Sequence, residues 1–554
     1  MHLHKLRNLF INYLGYLTIF SSLLIGLQSC SNNDELQSNN KNTAADIPKK
    51  PNIIVIMTDQ ERYAMHWPKG WAEEHLKSMN RLKEHGLTFH RAYTAACECA
   101  PSRAVLTSSE HYPINKVPRT PPPSKGLPSS KELMDIGSLL KEHGGYDVVW
   151  KGKWHLSMPL EGGYNWTEKD IANVQEKYAI YGWTPPDAGN AIQEFEKDTG
   201  GKLFNGLTTL GGGFANNDER YVHGYSKSDP KETSGWGKGI IEYLNEMAAN
   251  NANDRKPFCL FVSLVNPHDI WVYPDNWKAA GYIKEEFTRM GIDLPPNFDD
   301  DLTTKPSIQL KARNAYNARA PIKDKTAAKE YINFYAYLNK VVDGHIATIL
   351  DTLDSLKLTD DTIIIRTADH GELGLSHGMR EKAYTVYEEM IHIPLVISNP
   401  KMYPQAQSTD SFYCHLDLLP TIAELVNIPN FEKYGKGTSI VPVLKEPATS
   451  VQDAILFTYD DVFFLPIDTP GSHIRAIREG DWIYALYYSE NGSDFEYEMY
   501  DLKKDPGQLH NLLYKDVSPE IAKEADRLHR KLKEKIDHSN ALPAGFPWPQ
   551  KAFR

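Results

Sequence analysis

Four short segments place charged, amide or imidazole side chains directly after runs of apolar residues. They are Thr58-Asp59-Gln60, Lys151-Gly152-Lys153-Trp154-His155, Asn266-Pro267-His268-Asp269 and Ala368-Asp369-His370-Gly371. The apolar runs have the pattern of buried strands, and ligands of open α/β sheets bind at the carboxyl ends of such strands. An Asp after one strand is usually a helix N-cap, but four such segments at one edge are hard to explain as caps. Together they predict that a ligand binds at this edge of the sheet.

A fifth segment, Cys99-Ala100-Pro101-Ser102-Arg103, is more specific. A free cysteine is commonly a buried structural thiol, which we expect of Cys97. The fifth segment instead resembles the Cys-x-Pro-Ser-Arg motif of type I sulfatases, formylglycine-dependent enzymes of the alkaline-phosphatase-like superfamily. Similar elements follow in the family's order over about residues 51–512. They are Gly152-Lys153-Trp154-His155, Asp369-His370-Gly371-Glu372, Lys382 with Tyr387-Glu388, and Tyr500-Asp501-Leu502.

The resemblance implies a role for each matching position. Cys99 would be oxidised to formylglycine by a formylglycine-generating enzyme, and its hydrated aldehyde would be the nucleophile. Arg103 would orient the hydrate, Lys153 would bridge the hydrate and the sulfate, and Lys382 would hold a sulfate oxygen. His268 would protonate the leaving alcohol, and His155 would take a proton so that the aldehyde reforms. The implied metal ligands are Asp59, Gln60, the hydrate at 99, Asp369 and His370. His377 and His111 are candidate substrate contacts.

The implied ligand set is rich in oxygen and contains two carboxylates. Hard oxygen ligands favour Ca²⁺, with Mg²⁺ as the second choice. Many family members carry two aspartates where this chain has Asp59-Gln60, so we expect weaker divalent binding and a more positive pocket. On charge alone, the substitution Gln60→Asp should tighten Ca²⁺ binding.

The elements that must position these residues are typical of an α/β fold. Short apolar runs alternate with helix-length segments, which predicts an alkaline-phosphatase-like mixed, largely parallel sheet flanked by helices. The predicted strands are 52–57, 146–150, 258–265, 362–365 and 395–398, and the predicted helices are 331–353 and 416–426. After about residue 446 the pattern changes to hairpins at 474–488 and 496–502 and a closing helix at 519–537. We therefore predict a catalytic domain over 51–445 and a smaller α+β subdomain over 446–554, and we expect a surface loop over 200–224.

The N-terminus has the pattern of a bacterial lipoprotein signal. Lys5 and Arg7 precede an apolar run, which ends at Leu27-Gln28-Ser29-Cys30 and resembles a lipobox whose cysteine is lipidated. A single transmembrane anchor is the alternative, because the run is long for a signal peptide. Residues 31–50 read as a polar tether. The prediction is an exported lipoprotein in the periplasm or on the outer membrane or cell surface, held to the membrane only by its lipid.

Composition narrows the function classes further. The chain has 554 residues, 41% hydrophobic and 24% charged, which is ordinary globular usage. Its net charge is 61 − 72 = −11, and without a long basic run this argues against a nucleic-acid partner. Five cysteines exclude a disulfide scaffold. The first hypothesis is a sulfatase acting on a sulfated small molecule or glycan. The alternatives are a phosphonate monoester or phosphodiester hydrolase of the same superfamily, and a non-catalytic glycan-binding lipoprotein.

Overall fold

The computed structural model of the protein describes residues 47–553, except for 65, 121, 162–166, 185–216, 225–237, 251–255, 276, 279, 383 and 461–470. The predicted signal peptide, Cys30 and most of the predicted tether lie outside the described residues. Among the helices that are described, none is both long enough and apolar enough to cross a membrane.

The strands form two sheets, of eight and five strands. In chain order they are β1 (Asn52–Asp59), β2 (Gly86–Tyr93), β3 (Ala96–Cys97), β4 (Asp147–Gly152), β5 (Tyr181–Thr184), β6 (Phe258–Pro267), β7 (Thr362–Ala368), β8 (Leu395–Ser398), β9 (Gln407–Cys414), β10 (Ala454–Tyr459), β11 (His473–Glu479), β12 (Trp482–Tyr488) and β13 (Glu496–Asp501). The first sheet has the order β5-β4-β6-β1-β7-β8-β2-β9, and the second has the order β13-β12-β11-β10-β3.

Helices flank the first sheet and pack on the second. They are α1 (Trp71–His75), α2 (Lys77–Glu84), α3 (Cys99–Ser108), α4 (Ile136–Leu139), α5 (Glu168–Lys177), α6 (Asn217–His223), α7 (Ile240–Ala249), α8 (Lys284–Phe287), α9 (Ser307–Arg319), α10 (Lys325–Ser355), α11 (Glu388–Ile391), α12 (Leu418–Leu425), α13 (Val441–Lys445) and α14 (Pro519–Ser539).

The centre of the first sheet is the parallel block β4-β6-β1-β7. Strand β1 lies between β6 and β7, with Val55 opposite Phe261 on one side and Ile365 on the other. All eight residues of β1 are buried, because apolar side chains on its two faces enter two separate cores. Strand β8 runs antiparallel to both β7 and β2. The predicted mixed, largely parallel sheet is thus confirmed.

Two predicted helices are longer than their sequence patterns indicated. Helix α10 begins six residues before Tyr331, because the Asp324 carboxylate caps it by accepting bonds from the amides of Thr326 and Ala327 at 2.9 Å each. In helix α14 the Ser518 hydroxyl accepts a bond from the Ile521 amide at 3.3 Å. Pro519 follows this cap in the first turn, where a missing amide hydrogen does no harm.

The C-terminal part forms the predicted smaller subdomain, in which α14 packs on an antiparallel sheet. One strand of that sheet comes from elsewhere: β3 pairs with β10 in parallel, with Cys97 opposite Tyr459. The segment just before Cys99 is therefore held by the C-terminal sheet, which the sequence did not predict. The domain limits at 445/446 stay a prediction.

One loop prediction was partly wrong. The stretch 200–224 contains helix α6, and its glycine triplet at 211–213 lies outside the described residues. The buried Asp218 of α6 accepts bonds from the backbone amides of Val265 and Asn266 at 2.7 and 2.9 Å. A carboxylate that satisfies two strand-end amides therefore ties α6 to the end of β6, just before His268.

Candidate active site

The carboxyl ends of four adjacent parallel strands bring the predicted site residues together. Asp59 ends β1, Lys153 follows β4, His268 follows β6 and Asp369 follows β7. Gly152 makes the turn out of β4 possible. It has φ +99°, and a Cβ there would lie 2.0 Å from the carbonyl oxygen of Ser263. The close contact between the backbones of Gly152 and Ser263 directs Lys153 toward the neighbouring strand ends.

Cys99 is the first residue of helix α3, all of which is buried. Pro101 fits there because the amides of a first helical turn have no intrahelical partner. Arg103 is four residues further and so lies on the same helix face as Cys99. The spacing of the cysteine motif is thus that of one helical turn, which presents a thiol and a guanidinium to the same strand ends.

The guanidinium of Arg103 joins both carboxylates of the cluster. Its Nη2 donates to Asp59 Oδ2 at 2.9 Å, and its Nε donates to Asp369 Oδ2 at 3.0 Å. Its Nη1 donates to the carbonyl oxygen of Lys153 at 2.9 Å and to Ser263 Oγ at 2.8 Å. The Lys153 ammonium adds a bond of 2.6 Å to Asp59 Oδ2. These groups are fully buried, so each charge is compensated inside the protein.

Four side chains form a candidate metal centre. Asp59, Cys99, Asp369 and His370 each offer one ligand atom, and these atoms all lie within 4.8 Å of one another. His370 Nδ1 lies 2.9 Å from the carbonyl oxygen of Gly371, which must accept the proton, so Nε2 keeps a lone pair 3.2 Å from Cys99 Sγ. Two carboxylates, one imidazole and an oxygen-bearing group at position 99 suit a divalent cation. The residues present therefore fit the implied ion.

The neighbouring positive charges keep the Asp59 carboxylate ionised. Burial alone would raise the pKa of Asp59, but the positive charges of Lys153 and Arg103 outweigh it and hold that pKa well below its ordinary value. Burial would lower the pKa of Lys153, and Asp59 reverses this. Burial and Asp59 raise the pKa of the Cys99 thiol to about 11. An unconverted Cys99 is therefore a neutral thiol at physiological pH and a weak nucleophile.

His155 and His268 are both neutral in this state. Burial and Lys153 lower the pKa of His155 well below its usual range, and burial and Lys382 do the same to His268. The ring of His268 stacks near that of the partly exposed Trp271, with centroids 6.1 Å apart. Lys382 Nζ lies 5.9 Å from the same indole ring. The two residues predicted to handle the ester and its leaving group thus share one aromatic neighbour.

The side-chain amide of Gln60, a predicted metal ligand, makes hydrogen bonds to three neighbouring side chains. Its carbonyl oxygen accepts a hydrogen bond from the Lys382 ammonium. Its Nε2 donates to Glu372 Oε2 at 2.5 Å and to Glu381 Oε2 at 3.0 Å. The predicted ligand oxygen is therefore shared with the predicted sulfate-binding lysine, and ligation by Gln60 stays a prediction.

Sequence reasoning assigned no role to either glutamate. Glu372 stands inside the quoted Asp369-His370-Gly371-Glu372 element and Glu381 directly precedes Lys382, so their positions were visible but their partners were not. Burial and Glu372 raise the pKa of Glu381 to about 7.

A second polar network behind the cluster was also missed. Ser102 Oγ donates to the carbonyl oxygen of Asp369 at 2.6 Å, and His415 Nδ1 lies 3.1 Å from the same hydroxyl. His415 Nε2 lies 3.0 Å from the carbonyl oxygen of Ala368. These contacts fix the turn that presents Asp369. The contact between Ser102 and His415 joins residues 313 positions apart, which no local pattern in one sequence reveals.

The two candidate substrate histidines lie elsewhere, with their side chains fully buried. His111 Nδ1 lies 3.2 Å from Thr458 Oγ1 of the C-terminal sheet. His377 contacts Asp300 at 2.7 Å and stacks on Tyr387 with ring centroids 3.7 Å apart. Among the described contacts, neither touches a member of the catalytic cluster. The described contacts of both rings are thus with protein groups, and a role for either histidine in substrate binding stays a prediction.

Comparison with known proteins agrees with this geometry. Residues 51–428 match the family described as Sulfatase, and residues 375–538 match a family described as N-sulphoglucosamine sulphohydrolase, C-terminal. The Δ4,5-hexuronate-2-O-sulfatase of Bacteroides thetaiotaomicron is 24% identical over 477 residues, which are 85% of this chain and 86% of that protein.

Solved structures share the fold. One, a protein in complex with its substrate D-glucosamine-2-N,6-O-disulfate, has a TM-score of 0.62 at 19% identity, covering 89% of this chain and 98% of that one. The phosphonate monoester hydrolase of Agrobacterium radiobacter has a TM-score of 0.60 at 19% identity, covering 88% of this chain and 96% of that one. The family match spans more than half of the sequence, and the cysteine motif, its guanidinium and the strand-end ligands all meet at one edge. The chain therefore belongs to the sulfatase family and is a sulfuric ester hydrolase of the alkaline-phosphatase-like fold.

Proposed function

We propose that this protein hydrolyses a sulfate monoester of a carbohydrate, with formylglycine at position 99 as the nucleophile and Ca²⁺ as the bound cation. The observation that carries the proposal is the placement of Cys99 within 4.8 Å of the ligand atoms of Asp59, Asp369 and His370. A sulfated glucosamine bound to a structurally similar protein and the hexuronate sulfatase among the relatives support a sugar substrate.

The low reactivity of the Cys99 thiol supports its conversion to formylglycine. With a pKa of about 11, it is protonated at neutral pH and cannot act as a thiolate. A formylglycine hydrate would carry two hydroxyl oxygens on Cβ, one of them in place of Sγ, and oxygen is the ligand atom that Ca²⁺ prefers. The partner implied is a formylglycine-generating enzyme that recognises the cysteine motif.

The residues of the cluster divide the work in this proposal. Asp59, Asp369, His370 and the hydrate at 99 would hold the cation, which would polarise the oxygens bound to it. Ca²⁺ is favoured over Mg²⁺ because Mg²⁺ demands stricter octahedral geometry. Lys153 and Lys382 would hold the anionic ester, and Arg103 would keep the hydrate and both carboxylates in register.

Proton transfers complete the cycle. One hydroxyl of the hydrate would attack sulfur and give its proton to Asp59, whose Oδ1 lies 3.6 Å from Cys99 Sγ. The S–O bond to the alcohol would break, and the alkoxide would take a proton from His268. His155 would then remove the proton of the other hydroxyl, the C–O bond to the sulfate would break as the aldehyde C=O reforms, and sulfate would leave. Water adding to the aldehyde would restore the hydrate. His155 is neutral in the structure, as a base must be. His268 must gain a proton first, and the negative ester would raise its pKa by offsetting Lys382 and Lys153.

The decisive experiment combines mass spectrometry with kinetics. Protein coexpressed with a formylglycine-generating enzyme should carry the aldehyde at 99, hydrolyse 4-nitrophenyl sulfate and sulfated sugars, and lose activity reversibly to a calcium chelator. A larger kcat/KM for a phenyl phosphonate ester than for the sulfate would favour the phosphonate hydrolase alternative. An intact thiol in active protein would overturn the formylglycine mechanism. Binding of sulfated glycans without hydrolysis, by a thiol-bearing protein, would favour the lectin-like alternative.

We also propose that the protein is exported and lipid-anchored through Cys30. The support is the charged, apolar and lipobox-like order of residues 1–30. In a bacterial host, Cys30→Ser should abolish incorporation of labelled palmitate and release the protein from the membrane fraction. Membrane retention of the Cys30→Ser protein would favour the transmembrane alternative.

A further inference from the structure

We propose that Glu372 and Glu381 are positioning residues, which hold the Gln60 amide in one orientation and through it hold Lys382. The proposal rests on the proposed function only for the part that Lys382 plays in binding the ester. Its starting point is a chain of contacts from helix α10 into the site: Tyr331 to Glu372, Glu372 to Gln60, and Gln60 to Lys382.

The amide of Gln60 has only one favourable orientation. A side-chain amide donates at one end and accepts at the other, and the two ends have nearly the same shape. Here Nε2 faces Glu372 Oε2 at 2.5 Å and Glu381 Oε2 at 3.0 Å, while Oε1 accepts from the Lys382 ammonium. Turned by 180°, the amide would bring its oxygen against two carboxylates and its NH₂ group against an ammonium. The two acids therefore aim the oxygen at Lys382.

Glu372 is itself held firmly enough to do this. Its Oε1 accepts bonds from the Tyr331 hydroxyl at 2.8 Å and from the backbone amides of Gly374 and Glu381 at 3.0 and 2.8 Å. All of these bonds fall on one oxygen, which leaves Oε2 directed at Gln60. The Glu372 side chain is fully buried, so solvent does not compete for either oxygen.

This arrangement explains why a neutral amide stands at position 60. Charge counting from the sequence predicts that Gln60→Asp tightens Ca²⁺ binding. In the structure, the same substitution would remove both Nε2 donor bonds and place a third carboxylate beside two buried ones. Its repulsion from Glu372 and Glu381 opposes the gain from an added ligand charge. We therefore expect the sign of the effect to depend on Glu372.

The test is a double-substitution cycle on the full chain: wild type, Gln60→Asp, Glu372→Gln and both together. Each protein is titrated with Ca²⁺ by calorimetry after chelator treatment and is melted with and without Ca²⁺. We expect Gln60→Asp to weaken Ca²⁺ binding by about tenfold in the wild-type background and to tighten it in the Glu372→Gln background. Equal effects of Gln60→Asp in both backgrounds, on Ca²⁺ affinity and on melting temperature, would overturn the proposal.

Kinetics at saturating Ca²⁺ separate positioning from general stability. Glu372→Gln should raise KM for 4-nitrophenyl sulfate by about tenfold with a smaller change in kcat, because a loosened Lys382 binds the ester less well. Glu61→Gln is the matched control. Glu61 is a buried acid next to Gln60, but it accepts from Thr58 and Arg366 instead. Its loss should lower the melting temperature and leave KM unchanged. A KM shift as large in Glu61→Gln as in Glu372→Gln would overturn the positioning role.

Failure of this proposal can be told apart from failure of the proposed sulfatase function. A wild type that hydrolyses no sulfate ester would contradict the proposed function. The melting temperatures of the four proteins would still measure the coupling between residues 60 and 372. If Gln60→Asp alone fails to fold, recovery of folded protein on adding Glu372→Gln supports the repulsion. An equal folding loss in both backgrounds contradicts it.

Discussion

Two pairs of buried carboxylates meet in this active site, and the protein holds them in different ways. Asp59 and Asp369 both accept from the Arg103 guanidinium. Glu372 and Glu381 both accept from the neutral Gln60 amide. The cations hold the pKa of Asp59 well below its ordinary value, although burial opposes this. Burial and the neighbouring Glu372 raise the pKa of Glu381 to about 7.

The difference shows what a buried acid can be used for. A carboxylate beside a fixed cation keeps its charge and can serve as a ligand for a divalent ion. The second pair has weaker charge compensation, because its nearest cation is the Lys382 ammonium at 3.9 Å from Glu381 Oε2. Its carboxylates still orient the amide that donates to them, because bonds to an ionised acceptor are stronger than neutral ones. The first pair therefore belongs to the chemistry, and the second pair shapes the surroundings of Lys382.

The largest effect is expected at the nucleophile of the first pair's site. Cys99→Ala should lower kcat for 4-nitrophenyl sulfate by at least about 10³-fold, because it removes both the proposed nucleophile and a proposed metal ligand. Cys97→Ala is the control, since that buried thiol makes only a 3.9 Å contact to the carbonyl oxygen of Lys382. It should retain activity within a few-fold. Similar losses in both variants would mean that packing near β3, and not the nucleophile, is what Cys99 supplies.

A somewhat smaller effect is expected at His268, whose pKa is lowered by burial and by the nearby Lys382 and Lys153. His268→Ala should lower kcat/KM for an alkyl or sugar sulfate by about 10²–10³-fold and should lower it far less for 4-nitrophenyl sulfate. The reason is that nitrophenolate leaves without needing a proton. Steady-state kinetics on both esters measure the split. Equal losses on the two esters would contradict the role of leaving-group acid.

A smaller effect is expected on stability when the guanidinium shared by Asp59 and Asp369 is removed. Arg103→Met leaves Asp59 and Asp369 without their shared guanidinium, and we expect the free energy of unfolding in chelator to fall by about 3–5 kcal/mol. Urea titration measures it. The control is Arg91→Met, because Arg91 pairs with Asp481 at 3.3 Å near the surface and should cost less than about 1 kcal/mol. Equal losses from Arg91→Met and Arg103→Met would contradict a special role for the buried fork.

The smallest effect concerns pH and the second pair. The folded pKa of Glu381, about 7, lies above its ordinary value of 4.5. Its contribution to stability is therefore fully present below pH 4.5 and is lost as pH rises through 7. In chelator, Glu381→Gln should flatten the stability profile by about 3 kcal/mol over that window, because each pKa unit corresponds to about 1.4 kcal/mol. The Asp59 contribution has the opposite sign and is lost only in strong acid. The raised pKa of Glu381 would be contradicted if the free energy of unfolding of the wild type did not change between pH 4.5 and 7 and Glu381→Gln gave the same profile.

Local patterns predicted much of the fold. Apolar runs with both faces hydrophobic predicted the positions of β1, β6 and β7, and most of α10 and α14 was predicted from single segments. Helix α6 was missed because its stretch is rich in glycine. The parallel pairing of β3 with β10 was missed because it joins two residues of one segment to a strand more than 350 positions away.

The sequence by itself determined which residues could do chemistry. The strand-end polar segments were recognisable because they follow buried strands, and the cysteine motif and Lys382 were recognisable because they resemble elements of the sulfatase family. Only the tertiary structure decided what each of them touches. It turned the Gln60 oxygen to Lys382, placed Glu372 and Glu381 behind that amide, and buried His111 and His377 in packing contacts. Charge can be counted along a chain, but its effect depends on distance and burial, which only the folded arrangement of distant segments sets.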